Sequence, residues 1–221
     1  MGITQNIGAS SLIKPGVIDS AAARPASPYE GQVIFQKDTD QLLVWNGTAW
    51  VIPNSPAQNP TGLELIKSQT IGTAVSTVTV SDAFSSLYDN YLVKITGVNF
   101  DYAPSAQDGR LYLGSTTSGY KTSLNYGGWT SANYAGVGIT GATWYWVGVG
   151  GPNTTTNISF ELSQPYATQP TYMINTPYIH SNSAGATLGI EPSSTSHTSF
   201  TYYSATGTIT GGTIQVYGFR K

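Results

Sequence analysis

The stretch Ile158-Ser159-Phe160-Glu161-Leu162 places an apolar side chain at every second position. Because a β-strand sends successive side chains to opposite faces of its sheet, this alternation predicts a strand with one buried face and one polar face. Similar runs recur through residues 63–221, and no window of about 11 residues repeats with the helical period of about 3.6. The sequence therefore predicts an all-β protein in which residues 63–221 form a head, an antiparallel β-sandwich of jelly-roll-like type.

The predicted strands of this head are short and are separated by residues typical of turns. At the end of the chain, Ile209-Thr210 and residues 213–217 lie on either side of Gly211-Gly212, which predicts a terminal hairpin. The other predicted strands lie at residues 78–80, 91–96, 111–113, 144–147, 158–162, 172–179, 188–190 and 200–203.

Residues 29–53 predict a separate β-meander. Residues 32–35, 41–45 and 48–51 are strand-like, and Asn46-Gly47 between two of them predicts a two-residue type I′ turn with positive φ at both positions. A meander of about 20 residues is not stable alone in water, so it must pack on the head or on other copies of itself. We expect it to form an oligomeric collar through Phe35, Leu42, Val44, Trp45 and Trp50.

Residues 1–28 read as an arm that orders against a partner, because apolar side chains recur in them without a regular period. A frayed terminus is the alternative. The arm's candidate anchor residues are Ile3, Ile7, Leu12, Ile13, Val17 and Ile18. Residues 54–62 carry prolines and predict a stiff linker between collar and head.

Composition excludes several classes of function. Charged residues make up 9% of the chain, against about 25% in an average domain, and the net charge of −2 gives no footprint for nucleic acid. We expect no membrane insertion and no signal peptide, because the sequence has no apolar run of about 18 residues and no basic start. With no cysteine, the chain has neither disulfides nor a thiolate nucleophile.

The motifs that suggest chemistry are weak, so we expect no enzyme activity, no cofactor and no metal. Gly136-Val-Gly138-Ile-Thr-Gly141 matches a dinucleotide-binding pattern, but the strand-like sequence after it offers no helix to hold a pyrophosphate. His180 and His197 lie on or beside strands, without the G-x-S-x-G turn of a hydrolase. Asp101 and Asp108 flank one loop, where a turn-forming role is the better interpretation than a glycosidase pair.

Four aromatic residues lie in residues 119–136, among Gly, Ser, Thr and Asn typical of a loop. Exposed aromatic rings beside hydrogen-bonding groups suit the C–H faces and hydroxyls of a sugar. The alternative is a lid that packs down on the sandwich. The candidate residues for binding a glycan or another receptor are Tyr120, Tyr126, Trp129 and Tyr134.

Residues 28–51 resemble a module that recurs in tail fibres and other surface proteins of tailed bacteriophages. The module's pattern is met over about 24 residues by Pro28, Gly31, Asp38-Thr39, Leu42, Trp45-Asn46-Gly47 and Trp50. Residues 84–95 and 212–220 are also similar to the first and last strands of phage fibre heads. The resemblance implies a virion location, on the tail or the particle surface, and a trimeric β-sandwich that contacts a host glycan or protein.

These observations together predict a short tail fibre of a bacteriophage. The arm would anchor it to other virion proteins, the meander would form a trimeric collar, and the head would contact the host surface. The head has few cations to protect its sheet edges, so either the edges are short or other subunits cover them. We favour an oligomer, and a closed ring of three suits the order of arm, collar and head. A structural protein that decorates the capsid, or a head fibre, is the alternative, since it needs the same parts.

Overall fold

The computed structural model describes residues 15–53, 62–101, 107–130, 134–151 and 155–220. It divides the chain into two compact units, Met1–Pro60 and Thr61–Lys221. The described residues form strands and turns, apart from one 3-10 turn at Ala21–Ala23, so the all-β prediction is confirmed. Among them, no helix is long and apolar enough to cross a membrane. The predicted linker, except Gly62, and the anchor candidates Ile3, Ile7, Leu12 and Ile13 lie outside the described residues.

The first unit contains one four-stranded sheet in the order β1-β2-β3-β4. Strand β1 (Gly16–Ile18) pairs in parallel with β2 (Val33–Gln36), which pairs antiparallel with β3 (Gln41–Trp45). Strand β4 (Trp50–Val51) completes the sheet. The sheet therefore begins at Gly16, and it includes Val17 and Ile18 from the predicted arm.

The connection between β3 and β4 is longer than predicted. Four residues, 46–49, link Trp45 to Trp50, and only Gly47 among them has a positive φ, of 91°. The Asn46 side chain accepts hydrogen bonds from the backbone N–H groups of Thr48 and Ala49, at 2.9 and 2.8 Å. The prediction of a type I′ turn is wrong because the asparagine side chain closes the loop locally, in place of a left-handed backbone.

The second unit, the head, contains two mainly antiparallel sheets. The larger sheet has the order β10-β9-β14-β13-β12-β7-β17-β5, with β16 also paired to β7, and the smaller has the order β11-β8-β15-β6. The larger sheet consists of β5 (Leu63–Thr70), β7 (Tyr88–Phe100), β9 (Tyr120–Gly128), β10 (Tyr134–Gly141), β12 (Thr156–Ser163), β13 (Thr171–Ile179), β14 (Ser183–Glu191), β16 (Ile209–Thr210) and β17 (Thr213–Arg220). The smaller consists of β6 (Thr77–Val80), β8 (Gln107–Leu113), β11 (Val149–Gly150) and β15 (Phe200–Ser204).

One apolar core lies between these sheets. In β12, Ile158, Phe160 and Leu162 are buried, as the alternation predicts, and they join a cluster with residues of β7, β8 and β15. Each fully buried side chain of this size contributes roughly 1.5–3 kcal/mol to the free energy of folding. The largest members are Tyr91, Phe100, Tyr120, Trp144, Phe160, Phe200 and Tyr202. A sandwich-like architecture follows, while the jelly-roll connectivity stays a prediction.

One predicted strand and one predicted hairpin do not form. Residues 144–147 follow an irregular path in which Trp144 and Val147 are both buried and Trp146 has a φ of 55°. Aromatic content alone suggested a strand, but these residues fold inward to fill the core. The terminal hairpin is also absent from the described residues, because β16 and β17 each pair with β7 rather than with one another.

A buried polar pair lies at the end of β14. Glu191 Oε2 is 3.2 Å from His197 Nε2, and both side chains are almost fully buried. The carboxylate also accepts hydrogen bonds from the backbone N–H and the hydroxyl of Ser193, at 2.9 and 2.8 Å. His197 thus has a structural partner, and the pair fixes the turn that follows β14.

Removing the Glu191 carboxylate should destabilise the head. We expect Glu191→Ala to lower the free energy of unfolding by about 3 kcal/mol, because it leaves buried donors without an acceptor. Urea denaturation followed by tryptophan fluorescence measures the change. Glu161→Ala, which removes an exposed hydrogen bond to Asn175, is the matched control. Equal losses in the two variants would contradict the structural role of the buried pair.

Candidate functional site

Most of the aromatic segment 119–136 is not a loop, because residues 120–128 and 134–136 lie in strands β9 and β10. Strands β9 and β10 pair antiparallel, with Tyr134 opposite Gly127 and Ala135 opposite Tyr126. β9 is also held on its other side by β14, from Lys121 opposite Ile190 to Gly128 opposite Ser183. The prediction of loop structure is therefore wrong, because pairing on both sides of β9 outweighs the turn-like composition. Tyr120, Tyr126 and Tyr134 stand on paired strands, which position them more firmly than a loop does, and Trp129 lies in the turn after β9.

Tyr120 does not belong to an exposed site, so its prediction as a receptor-contacting residue is wrong. Its ring is fully buried against Trp144, with ring centroids 5.2 Å apart. Its hydroxyl accepts a hydrogen bond from the Leu113 N–H at 2.7 Å and donates one to the Thr116 carbonyl at 3.1 Å. Burial raises the pKa of Tyr120, which keeps the hydroxyl neutral. The residue lies on the inward-facing side of β9 and serves the core.

Three of the four predicted residues lie at one end of the head, where β9 ends and β10 begins, although Tyr134 pairs with Gly127 and Tyr126 pairs with Ala135, so the two tyrosines point to opposite faces of the sheet. Trp129 follows β9, and its indole Nε1 donates a hydrogen bond to the His180 carbonyl at 2.9 Å. The Trp129 side chain is nevertheless 60% exposed, and Tyr134 at the start of β10 is 89% exposed. Tyr126 is half-buried two residues before the end of β9. We call Tyr126, Trp129, Tyr134 and Tyr178 the aromatic end.

Tyr178 is the member that sequence reasoning missed. Its ring lies 5.8 Å from the Tyr126 ring, centroid to centroid, although the two residues are far apart in the chain. They meet across Gly185, which pairs with Tyr126 on one side and with Tyr178 on the other. No local sequence pattern predicts this contact, because the contact depends on the strand order β9-β14-β13 in the sheet.

Gly185 is required by close backbone packing. A Cβ atom there would lie 2.0 Å from the Asn125 carbonyl oxygen and 2.8 Å from Tyr126 Cβ. Both distances are shorter than a real contact allows, so only glycine lets the three strands approach as they do. The contact between Tyr126 and Tyr178 depends on that approach.

A second feature, a cleft between β12 and β13, adjoins the aromatic end. Its volume is about 510 Å³, within the usual range for ligand sites of roughly 300–1,000 Å³. His180 and Ser181, which follow β13 and precede β14, lie on its wall, so the residue that holds the Trp129 indole also borders the cleft. The lining consists of Gly148, Val149, Gly150, Gly151, Thr155, Thr156, Asn157, Ile158, Pro177, Ile179, His180 and Ser181.

This part of the chain carries almost no charge. Between Lys121 and Arg220 the sequence has no Lys or Arg, and its acidic residues are Glu161 and Glu191. Glu161 accepts a hydrogen bond from Asn175 at 3.0 Å, and Glu191 is buried against His197. The linings of the cleft and of the hollow beside Tyr126 and Tyr134 contain no charged residue except for the titratable His180.

The other candidates for chemistry have structural partners. Asp101 accepts hydrogen bonds from the Thr208 and Thr210 hydroxyls, and Asp108 accepts one from Arg110 at 3.1 Å. Within the described part of the chain, no group of three or more His, Cys, Asp or Glu side chains is placed to hold a metal ion. Gly136, Gly138 and Gly141 lie in β10, where they pair with β9.

The collar candidates divide between the two faces of the first sheet. Ile34 and Leu43 are paired and buried on one face, where Trp45 and Trp50 also stack edge to face at 5.7 Å. The opposite face is entirely apolar, and none of its side chains is buried. This apolar face consists of Val17, Val33, Phe35, Leu42, Val44 and Val51. Phe35, Leu42 and Val44 are thus at least partly exposed, while the two tryptophans contact one another.

Comparison of the chain with protein families, with curated proteins and with solved structures finds no match.

Replacing Gly185 should destabilise the aromatic end. We expect Gly185→Ala to lower the free energy of unfolding by about 1–3 kcal/mol, because the methyl group overlaps the backbone of β9. Gly138→Ala on β10 is the control, since a Cβ there meets nothing within 4 Å. Thermal unfolding of both variants measures the difference. A Gly185→Ala protein as stable as Gly138→Ala would show that the strands do not pack this closely.

Proposed function

We propose that this protein is a bacteriophage attachment fibre that contacts the host surface through the aromatic end of its head. The observation that carries the proposal is the exposure of Tyr134 on β10 and of Trp129 in the turn after β9, at the same end of the sheet as Tyr126 and Tyr178. Large exposed aromatic rings on a rigid support are typical of recognition surfaces, because little conformational entropy is lost on binding. The resemblance of residues 28–51 to a phage virion module supports the same function.

The apolar face of the first sheet supports self-association as part of this function. Val17 is 59% exposed and Leu42 is 43% exposed, and their four neighbours on that face are aliphatic or aromatic. Copies of the chain can bring such faces together without burying a charge. Closed rotational symmetry then limits the number of copies in the oligomer. We propose a trimer, whose collar uses Phe35, Leu42 and Val44. The arm would then anchor three copies to the particle.

A trimer would also raise the strength of attachment. Each aromatic end exposes only a few rings, so a single contact is expected to be weak. Three heads on one collar, and several fibres on one particle, convert weak contacts into firm attachment.

Removal of the Trp129 ring should weaken attachment to cells. Fluorescently labelled full-length protein is incubated with a panel of bacterial strains, and binding is measured by flow cytometry. We expect Trp129→Ala to reduce binding to the recognised strain by about tenfold, as loss of a central aromatic anchor does. Leu65→Ala, which removes another exposed side chain from β5, should bind like the parent. If no strain binds the parent protein, a purely structural role on the capsid becomes the better explanation.

A charge on the apolar face should dissociate the oligomer. We expect the parent protein to have the mass of a trimer in light scattering after size-exclusion chromatography, and Leu42→Glu to have the mass of a monomer, because the interface would bury an unpaired carboxylate. Tyr29→Glu places the same charge on a side chain that is 70% exposed outside that face, and it should remain trimeric. A monomeric parent, or a trimeric Leu42→Glu variant, would refute the proposed collar.

A further inference from the structure

We infer that the ligand of the head is an uncharged saccharide and that its site continues from the aromatic end into the cleft between β12 and β13. This inference rests on the proposed function and gives it a ligand class. Three observations support it: the way the two strands separate, the chemistry of the cleft wall, and the lack of charge around both features.

The cleft exists because two neighbouring strands part in the middle of the sheet. β12 and β13 pair only from Glu161 opposite Ile174 to Ser163 opposite Tyr172. Asn175 then adopts a φ of 55°, and its side chain donates a hydrogen bond to Glu161 at 3.0 Å. Beyond this point β12 stays paired with β7 and β13 stays paired with β14, so a gap opens between β12 and β13.

The residues at the base of the gap are packed too closely to move aside. A Cβ on Gly148 would lie 2.3 Å from Ile158 Cδ1, and a Cβ on Gly150 would lie 2.3 Å from the Phe100 ring. Glycines therefore line the base, and the gap is maintained by the core beneath it. A preformed site of this kind binds without a large cost of reorganisation.

The cleft wall combines apolar surface with hydrogen-bonding groups and contains no Lys, Arg, Asp or Glu. Pro177 and Ile179 present aliphatic surface, and Ile179 is 62% exposed, while the buried Ile158 lies deeper. Asn157, His180 and Ser181 add polar groups at the same cleft. Sugar rings have C–H faces and hydroxyl edges, so this mixture fits a saccharide better than a purely apolar ligand.

The cleft and the aromatic end share a rigid element, the turn from His180 to Ser183. Its backbone is closed by a hydrogen bond from the His180 N–H to the Ser183 carbonyl at 2.8 Å. The Trp129 side chain and backbone both donate to this turn, to His180 and Asn182 respectively. Tyr178 and Ile179 point to opposite faces of β13, so the connection between the aromatic end and the cleft runs through Trp129 and His180. A saccharide chain longer than a single ring can therefore contact both features.

The charge distribution selects against acidic ligands. Carboxylate, sulfate and phosphate groups are normally recognised by Arg or Lys, and the sequence offers neither between Lys121 and Arg220. An acidic saccharide would lose hydration at this site without gaining an ion pair. Binding of an uncharged saccharide should be nearly independent of salt, because no screened charge pair contributes to it.

The first test is an array of neutral and acidic bacterial polysaccharides, probed with the full-length protein. We expect signal on neutral polysaccharides only, unchanged between about 50 and 500 mM salt. Strong binding to acidic polysaccharides, or loss of binding at high salt, would overturn the assignment of an uncharged ligand. If the parent protein binds no polysaccharide on the array, the assignment of a saccharide ligand is wrong. If the same protein still attaches to cells, the proposed attachment function remains valid.

The second test uses neutral oligosaccharides of increasing length, cut from the polysaccharide that binds best. We expect the affinity of the parent protein to rise with the length of the oligosaccharide. We expect Ile179→Glu to lower the affinity for the longest oligosaccharide by about tenfold and the affinity for the shortest by less than about twofold. Leu65→Glu, with a similarly exposed aliphatic residue on β5, is the matched control. If Ile179→Glu binds all lengths like the parent, the cleft is not part of the site. If Trp129→Ala loses binding to oligosaccharides of every length, the aromatic end is still supported as part of the binding site.

Discussion

The head depends on the pairing of β7 along both of its edges. This strand is 13 residues long, and it pairs with β12 on one side and with β17 and β16 on the other. Its inward side chains, which include Tyr91, Val93 and Ile95, are fully buried in the core shared with the smaller sheet. A sheet of short strands would be weak without such a centre, because each additional strand needs a paired neighbour on which to form.

The aromatic end lies near the edge of the sheet farthest from β5. There the supporting contacts are backbone pairing and glycine packing rather than a thick core, since every residue of β10 is at least partly exposed. Gly185 allows β14 to approach β9 closely, and the two tyrosines meet across it. The same features that hold this edge together therefore also set the spacing of the exposed rings.

Much of the fold follows from local periodicity, and most of the site does not. The alternation at residues 158–162 and the strands around Phe35 and Leu42 follow from side-chain pattern, which is a property of neighbouring residues. Tyr120 and Trp129 have similar polar, glycine-rich surroundings in the sequence, yet one is in the core and the other is exposed. Tyr120 lies on the inward face of β9, whose partner strand β14 is distant in the chain, whereas Trp129 lies in the turn after β9. Tyr178 and the separation of β12 from β13 depend on sheet order in the same way, so no short-range signal reports them.

The scarcity of charge links these observations. A protein with few ionisable groups has little electrostatic means of choosing partners or of keeping its sheet edges apart. It must instead rely on shape, on aromatic and aliphatic surface, and on neutral hydrogen bonds. Such contacts are individually weak but insensitive to ionic strength. Weak neutral contacts become selective when several are required at once, so under the proposed function, self-association through the apolar face of the first sheet would supply the number of contacts that each uncharged site lacks in strength.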